Sequence, residues 1–289
     1  TPPERLTKKQ KQEHARELAR LAREQDRTRK RRRRWMTQAG IGVGLLAIVA
    51  VVALVFVNST PPSVAGPLNM LSDGILIEGN GTAAAAVSTK AIQPSATPVA
   101  TDTSSMAETA NIVLYVDYQC PYCKQFETTN GDQIQQWVTS GVATVEIHPI
   151  AILDNSSQGT KYSTRAANAA ACVANFDPDN YLAVNKSLFA NQPAENTPGL
   201  TDKEIIKLVQ GAGSTGDDVS ACITKQTFAS WAGASTARAL AGPLPNSDVS
   251  TVAGTPTVVV NGTHYTGALD DATAFSDFVG QAVLGSSAG

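Results

Sequence analysis

The chain has 289 residues and a formal net charge of −2, and this length suits one ordinary domain with appendages. The small net charge conceals an asymmetry: residues 1–35 carry 14 of the 23 Lys and Arg and 5 of the 25 Asp and Glu, a local charge of +9 against −11 for the rest. The three histidines have no acids clustered around them, and neither a Gly-rich phosphate loop nor a Ser-His-Asp set stands out, so we expect no metal site.

Residues 1–38 form a basic arm that we predict to be helical and cytoplasmic. Thr7, followed three residues later by Gln10, matches a capping box at a helix start. Two functions of the arm remain open: contact with anionic lipid headgroups, at about 1 kcal/mol for each basic residue near the surface, or a solvated arm that only fixes orientation. Nucleic-acid binding is disfavoured, because no aromatic residues interleave with the charges.

Residues 39–57 contain no charged or strongly polar side chain. As a helix this stretch would be about 28 Å long, close to the hydrocarbon thickness of a bilayer. The arginines at 31–34 directly before it mark the cytoplasmic side, so we predict a single transmembrane helix with everything after about Asn58 outside the cytoplasm. A cleaved signal peptide is the alternative, but the long basic region and the long apolar run favour a permanent anchor.

Residues 58–108 are poor in charge and rich in Ser, Thr, Ala and Pro, which predicts a mostly irregular linker. Within it, residues 68–71 and 74–79 alternate apolar runs with Gly and Asp, as a short strand pair does. Such a pair would add an edge strand to the domain that follows. We assign no catalytic residue to this segment.

Residues 109–289 alternate strand and helix patterns, as expected of an α/β domain. The predicted strands are 112–116, 142–150, 257–260 and 264–266. The predicted helices are 121–140, 157–175, 178–190, 201–209, 217–224, 227–241 and 271–284. The order is therefore β-α-β, a block of helices over about 157–241, and then β-β-α.

The sequence Cys120-Pro121-Tyr122-Cys123 lies where the first of these strands gives way to a helix. Pro121 would occupy the first helical turn, where its missing N–H costs nothing. A thiol at a helix N-terminus faces unpaired N–H groups and the positive end of the helix dipole, and both favour the thiolate. We therefore predict that Cys120 is the nucleophile and that Cys123, one turn later, forms a disulfide with it.

A C-x-x-C pair is also half of many zinc sites. A four-ligand site needs two more Cys or His at suitable spacing. The remaining candidates form no second closely spaced pair; they are Cys172, Cys222, His14, His148 and His264. The strand-to-helix context therefore favours a redox pair over zinc.

The segment 117–123, DYQCPYC, resembles the active site of the DsbA-like branch of the thioredoxin superfamily. A second hallmark of that family, a proline opening a strand near the C-terminus, is matched by Pro256 in the sequence GTPTVVVNG at 254–262. The resemblance covers about Thr109 to Leu284. It implies a thioredoxin fold with a helical insertion, here preceded by the predicted transmembrane helix.

The resemblance also implies roles for single residues. Pro121 and Tyr122 would tune the acidity of the thiol and the reduction potential. A cis bond between Thr255 and Pro256 would present the backbone of Thr255 to an extended substrate chain. Strong oxidases of the family often carry Val before this proline, whereas Thr is common in isomerase relatives, so Thr255 weighs against a strong oxidase.

Cys172 and Cys222 lie in two different predicted helices of the insertion. We expect a structural disulfide between them, worth about 4 kcal/mol in the chain-entropy model. A second redox relay pair is the alternative.

Glu127 and Asp117 are candidate carboxylates for proton transfer. For both we favour a solvated acid near the helix start, because an acid beside Cys120 would oppose the acidity of that thiol.

These observations predict a membrane-anchored, extracytoplasmic thiol-disulfide oxidoreductase that introduces disulfides into secreted or cell-envelope proteins. It needs no cofactor besides the Cys120–Cys123 pair, and the fold implies a membrane partner, of the quinone-linked type, that reoxidises the pair. The alternatives are a reductase or isomerase of the same fold and a non-enzymatic accessory subunit of a membrane complex. Isomerase relatives dimerise through a separate N-terminal domain, whose place is taken here by the low-complexity linker.

Overall fold

A computed structural model describes residues 65–104, 106 and 109–286. The basic arm, the predicted transmembrane helix and the first part of the predicted linker lie outside these residues. Within the described part of the chain, no helix combines the length and the apolar character needed to cross a membrane.

Six strands form one mixed sheet with the order β2-β1-β4-β3-β5-β6. Their bounds are β1 Ile75–Gly79, β2 Ala84–Ala86, β3 Ala110–Val116, β4 Ala143–Pro149, β5 Thr257–Val260 and β6 Thr263–His264. Only β3 and β4 pair in parallel, while the other neighbours are antiparallel. The four strands predicted from the sequence are all present, and β3 lies at the centre, between β4 and β5.

Seven α-helices are present among the described residues. They are α1 Pro121–Ser140, α2 Tyr162–Phe176, α3 Tyr181–Ala190, α4 Asp202–Gly211, α5 Asp217–Lys225, α6 Ala229–Ala241 and α7 Ala272–Ser286. The elements β3-α1-β4 and β5-β6-α7 enclose α2–α6 in sequence, which is the arrangement expected of a thioredoxin fold with a helical insertion. The predicted fold class is confirmed in this respect.

Side chains of β3 divide between two cores because successive residues of a strand point to opposite faces. Leu114 belongs to the main core, which also contains Phe126 of α1 and Phe275 of α7. The rings of Phe126 and Phe275 meet edge to face with their centroids 5.1 Å apart. Tyr115 belongs to a smaller core on the other face, with Leu244 as a further member. Burial on both faces fixes the register of β3 and hence the place where it ends.

Two helix ends are specified by local signals in the sequence. Gly141 ends α1 with φ 79°, a left-handed conformation that glycine adopts without strain. Thr201 and Glu204 form a complete capping box at the start of α4. The start of α2 differs from the prediction: residues Asp154–Ser157 form a 3-10 turn, and α2 begins only at Tyr162. Gln158, Gly159 and Lys161 have positive φ values, which interrupt a helix.

The predicted irregular linker is, from residue 65 onwards, part of the folded domain. β1 pairs with β4 and extends the sheet, whereas residues 68–71 form turns instead of a strand. Met70, Ile75, Ile77 and Ile92 are buried in the main core. Met70, Ile75 and Ile77 belong to the two apolar runs noted in the sequence, whereas Ile92 lies in a stretch rich in Ser, Thr and Ala that gave no such signal.

A buried ion pair ties this N-terminal segment to the helical insertion. The Asp73 carboxylate accepts hydrogen bonds from Nε and NH2 of Arg238, at 2.6 and 2.7 Å, and from Nε1 of Trp231 at 3.1 Å. The Asp73 side chain is 9% exposed and that of Arg238 is 33% exposed. Asp73 and Arg238 are 165 positions apart in the sequence, so their contact closes a long loop of the chain.

A disulfide joins Cys172 of α2 to Cys222 of α5. The two residues are separated by 50 positions, and for such a loop the chain-entropy model gives about 4 kcal/mol. The bond crosslinks the first helix of the insertion to a later one, far from the C-x-x-C pair in sequence.

Replacing Arg238 with Met is expected to lower the free energy of unfolding by about 2 kcal/mol, because the buried Asp73 carboxylate loses its charged partner. Urea denaturation of the full chain measures this change. The matched control is Lys186→Met, which removes an exposed pair with Asp132 and should cost less than about 0.5 kcal/mol. Equal changes in the free energy of unfolding for the two variants would show that the pair of Asp73 and Arg238 stabilises the domain no more than an exposed ion pair does.

Candidate active site

The candidate active site begins where β3 ends. Four residues after Val116, Cys120 caps α1 with an extended backbone, and Pro121 occupies the first turn of the helix. The Cys120 sulfur thus lies at the end of the helix where the first N–H groups are free and the dipole is positive. The helix start predicted from the sequence is confirmed.

Cys120 and Cys123 are both free thiols, and they are 4% and 1% exposed. The Cys123 thiol donates a hydrogen bond to the Cys120 sulfur, and the backbone N–H groups of Cys123 and Tyr122 donate further hydrogen bonds to it. These hydrogen bonds lower the pKa of Cys120 to about 6, although burial of the thiol acts in the opposite direction. Burial raises the pKa of Cys123 well above its usual value, and the neighbouring Cys120 adds to this effect. Near neutral pH, Cys120 is therefore the thiolate and Cys123 the proton-bearing partner.

The bond between Thr255 and Pro256 is cis, and it places Thr255 against the cysteine pair. The Cys120 sulfur lies 3.1 Å from the Thr255 carbonyl oxygen and donates to it as a thiol. The Thr255 side chain also helps to lower the pKa of Cys120. Its buried hydroxyl has no other hydrogen-bond partner, which leaves it available to the thiolate. Sequence reasoning placed Thr255 and Pro256 here only through the family resemblance.

Tyr122 is the exposed member of the motif. Its side chain is 62% exposed, whereas the cysteines on either side of the Pro121-Tyr122 pair are buried. An exposed aromatic ring next to a buried thiolate is available to contact a second molecule.

Two glutamines that the sequence analysis did not single out hold the active-site turn. Gln192, in the loop after α3, donates its side-chain amide to the Cys120 carbonyl oxygen at 2.8 Å. Gln119 donates its own side-chain amide to the Ser156 carbonyl oxygen at 3.1 Å. Gln192 follows Cys120 by 72 positions in a polar loop, and no local pattern marks such a contact.

The expectation of a solvated acid is wrong for Asp117, and Glu127 is half-buried. Asp117 is completely buried, and burial raises its pKa to about 7, although hydrogen bonds from the Gln119 and Leu153 backbone and from Ser163 oppose the rise. Burial also raises the pKa of Glu127 to about 7, while Asn185 and Lys186 favour its ionised form. Their positions near the start of α1 predicted solvent exposure for both carboxylates. The helical insertion covers Asp117 completely and Glu127 in part.

Asn185 connects Glu127 to the turn before the cysteines. The Tyr118 hydroxyl donates to the Asn185 Oδ1 atom at 3.0 Å, and the Tyr118 ring contacts Phe189 with the centroids 4.9 Å apart. Both contacts join the segment between β3 and α1 to α3 of the insertion. No group of three or more His, Cys, Asp or Glu able to hold a metal ion occurs in the part of the chain that the structure covers.

Replacing Cys123 with Ala should raise the pKa of Cys120, because the largest stabilising hydrogen bond to its thiolate is lost. The ultraviolet absorbance of the thiolate, followed in a pH titration of the reduced full chain, gives both midpoints. An unchanged midpoint would assign the low pKa to Thr255 and the helix terminus.

Relative to that of the oxidised protein, the free energy of unfolding of the reduced protein should rise with pH between about 6 and about 8.5, the usual pKa of an unfolded cysteine. The comparison is needed because Asp117 and Glu127, with pKa values raised to about 7, titrate in both forms and lose stabilisation over part of this range. The sign follows because the pKa is lower in the folded state: the stabilisation is fully present above the unfolded pKa and is lost as the pH falls through about 6. Denaturation at several pH values tests this, with the oxidised protein as the control that lacks the contribution. A parallel pH dependence of both forms would contradict the assignment.

A comparison with protein families gives a match to the family described as Thioredoxin over residues 106–279. Among sequence relatives, the serine/threonine-protein kinase PknE of Mycobacterium tuberculosis is 34% identical over 140 residues, which cover 44% of this chain and 25% of PknE. The chain thus spans about a quarter of the length of the curated relatives it matches.

Solved structures with the same fold include thiol-disulfide oxidoreductases. The reduced disulfide bond oxidoreductase DsbG of Mycobacterium tuberculosis matches at 25% identity with a TM-score of 0.54, covering 75% of this chain and 93% of DsbG. Oxidised DsbA of the same organism matches at 27% identity with a TM-score of 0.53, covering 73% of this chain and 92% of DsbA. BdbD of Bacillus subtilis, at 18% identity and a TM-score of 0.53 over 76% of this chain and 98% of BdbD, supports the fold alone. Because the family match covers more than half of the sequence and includes both C-x-x-C and Pro256, the chain belongs to the thioredoxin family.

Proposed function

We propose that the protein is an extracytoplasmic thiol-disulfide oxidoreductase that introduces disulfides into secreted or cell-envelope proteins through Cys120 and Cys123. The observation that carries the proposal is the acidity of Cys120, which caps α1, receives a hydrogen bond from Cys123 and has a pKa of about 6. The similarity to DsbA and DsbG of Mycobacterium tuberculosis supports exchange chemistry at this pair.

The reaction starts from the oxidised protein, with a disulfide between Cys120 and Cys123. A substrate thiolate attacks the Cys120 sulfur, the bond between the two cysteines breaks, and its electron pair goes to the Cys123 sulfur. Cys123 takes up a proton at once, because burial raises its pKa far above neutral. A mixed disulfide then joins Cys120 to the substrate.

The second substrate thiolate completes the transfer. It attacks the substrate sulfur of the mixed disulfide, and Cys120 leaves as a thiolate that its surroundings stabilise. The substrate has lost two electrons and two thiol protons and gained a disulfide, while the protein pair has gained the two electrons. A second oxidant must restore the Cys120–Cys123 disulfide, and we assign this step to a membrane reoxidant of the quinone-linked type.

The low pKa of Cys120 also indicates whether the protein oxidises or reduces its substrates. The more the thiolate is stabilised, the more stable is the reduced pair and the more oxidising is the disulfide. Thr255 favours the second candidate, a reductase or isomerase of the same fold, because isomerase relatives often have Thr at this position. We favour the oxidase, since the Cys120 thiolate is stabilised from three sides, by Cys123, by Thr255 and by the helix N-terminus.

The proposal extends to location and partners. The apolar stretch 39–57 would anchor the chain in the cell membrane as a single span with the N-terminus in the cytoplasm, and the basic arm would lie at anionic lipid. Reduced or unfolded proteins outside the cytoplasm would be the substrates. No nucleic acid takes part in this scheme.

Oxidation of a reduced, unfolded ribonuclease tests the proposed activity. The oxidised full chain should transfer its disulfide to the client within one turnover, and Cys120→Ser should abolish the transfer because the attacked sulfur is missing. The matched control is the double variant Cys172→Ala and Cys222→Ala, which removes the other disulfide and should keep the exchange chemistry while losing about 4 kcal/mol of stability.

The redox state in cells separates the two candidates. Acid quenching followed by alkylation and mass measurement should find the Cys120–Cys123 pair mostly oxidised if the protein is an oxidase. A mostly reduced pair would instead identify a reductase or isomerase supplied with electrons.

A further inference from the structure

A cavity of about 350 Å³ lies against the sheet, on the face that carries the smaller core. Its floor consists of side chains that alternate along the strands with members of the main core, as Val113 and Tyr115 do in β3. The volume falls in the range of about 300–1,000 Å³ that is typical of small-molecule sites. No cysteine is among the described residues that line the cavity, so the cavity is separate from the C-x-x-C pair.

The side chains of β4 that face the cavity are all polar. They are Thr144, Glu146 and His148, and each is at most 6% exposed. The residues between them, Val145 and Ile147, belong to the main core. Buried polar side chains are costly unless each finds a hydrogen-bond partner. A row of three such side chains beside an open volume is therefore suited to hold a polar ligand.

The cavity is covered by two segments outside the sheet. One precedes β3 and contributes Thr101, Thr103 and Met106, and the other follows α6 and contributes Pro245 and Asn246. The Asn246 side-chain amide donates to the Thr101 carbonyl oxygen at 2.8 Å and thereby joins the two segments. The cover is thus partly apolar, whereas the part of the floor that β4 supplies is polar.

Glu146 places a negative charge at the floor of the cavity. The His148 Nε2 atom lies 3.3 Å from the Glu146 Oε1 atom, and the Ser72 hydroxyl donates to the same oxygen. Burial raises the pKa of Glu146, but His148, Ser72 and Thr101 outweigh burial and lower the pKa below its usual value. The carboxylate is therefore ionised near neutral pH. The His148 ring stacks on Tyr115 with the centroids 4.4 Å apart, which fixes the position of the imidazole.

The Glu146 carboxylate has room for a further donor. An ionised carboxylate offers about four acceptor positions, and the partners in the described structure are Ser72, Thr101 and His148. His148 carries a positive charge only when it is protonated. Neither lysine nor arginine occurs among the described residues that line the cavity. Because a buried charge is costly without an opposite charge beside it, a cation that enters the cavity would be bound there.

We propose that this cavity binds a small organic cation, an alkylammonium group whose N–H donors reach the Glu146 carboxylate while its alkyl part lies against Val113 and Met106. A free amine and the lysine side chain of another polypeptide present the same chemical group. The site is independent of the exchange chemistry proposed for Cys120 and adds a ligand that this chemistry does not use.

Calorimetric titration of the oxidised full chain with n-butylammonium chloride tests the proposal. The matched neutral probe is 1-butanol, which has the same number of non-hydrogen atoms and no charge. We expect saturable binding of n-butylammonium and about tenfold weaker binding of 1-butanol, because hydrogen bonds from a charged donor to a carboxylate are about twice as strong as neutral ones.

Methionine methyl resonances locate the bound probe. The chain has three methionines; Met106 lines the cavity, whereas Met70 is completely buried in the main core. The Met106 methyl signal, assigned through Met106→Leu, should shift with the same midpoint as the calorimetric titration. The Met70 signal should stay in place.

Glu146→Gln keeps the shape of the side chain and removes its charge, so the affinity for n-butylammonium should fall about tenfold. The matched control is Asp277→Asn, because Asp277 is an exposed carboxylate on α7, whose Phe275 packs in the main core on the other face of the sheet. This control should leave the affinity unchanged. Thermal unfolding identifies a variant that fails to fold. Val113→Phe keeps the carboxylate, fills the cavity and should abolish the shift of the Met106 signal, which provides a second test.

Unchanged affinity in Glu146→Gln would overturn the proposal, as would equal binding of the two probes, a lack of saturable binding, or a Met106 signal that stays in place. Tighter binding of Nα-acetyl-lysine N-methylamide than of n-butylammonium would identify a lysine of another polypeptide as the ligand, and weaker binding would identify a free amine. None of these readouts involves Cys120 or Cys123, so they are independent of the outcome of ribonuclease oxidation.

Discussion

The contact between the Cys120 sulfur and the start of α1 is the interaction on which the rest of the molecule depends. It requires that β3 end at Val116, that the chain turn within three residues, and that α1 begin at Pro121. Burial of β3 on both faces and its central position in the sheet meet the first requirement. The pKa of about 6 for Cys120 is a consequence of this placement together with the thiol of Cys123.

The sequence predicted the parts of this arrangement that depend on neighbouring residues. Four local signals act through contacts within a few positions of the chain. They are the β-branched run of β3, the proline in the first turn of α1, Gly141 after α1 and the capping box at Thr201. Such local signals specify where elements begin and end, because the hydrogen bonds they supply are made within one turn of the chain.

Contacts between distant segments escaped prediction for the opposite reason. Asp117 and Leu153 are 36 positions apart, and Cys120 and Gln192 are 72 positions apart, so no spacing in the sequence relates them. In the sequence alone, a polar residue that a remote segment buries cannot be distinguished from one that is exposed to solvent. The same limit applied to Ile92, which lies in a segment rich in small and polar residues and yet is buried in the main core. Composition describes the average of a segment, whereas packing depends on its few large side chains.

The order of the strands has a consequence for a protein proposed to handle unfolded chains. The edges of the sheet are its shortest strands, with three residues in β2 and two in β6, while the seven-residue strands β3 and β4 lie inside. A short edge offers few unpaired N–H and C=O groups to a foreign strand. In the proposed function, unfolded clients at Cys120 would find few backbone groups along which to extend the sheet, and the short edge strands would limit co-aggregation of the domain with these clients.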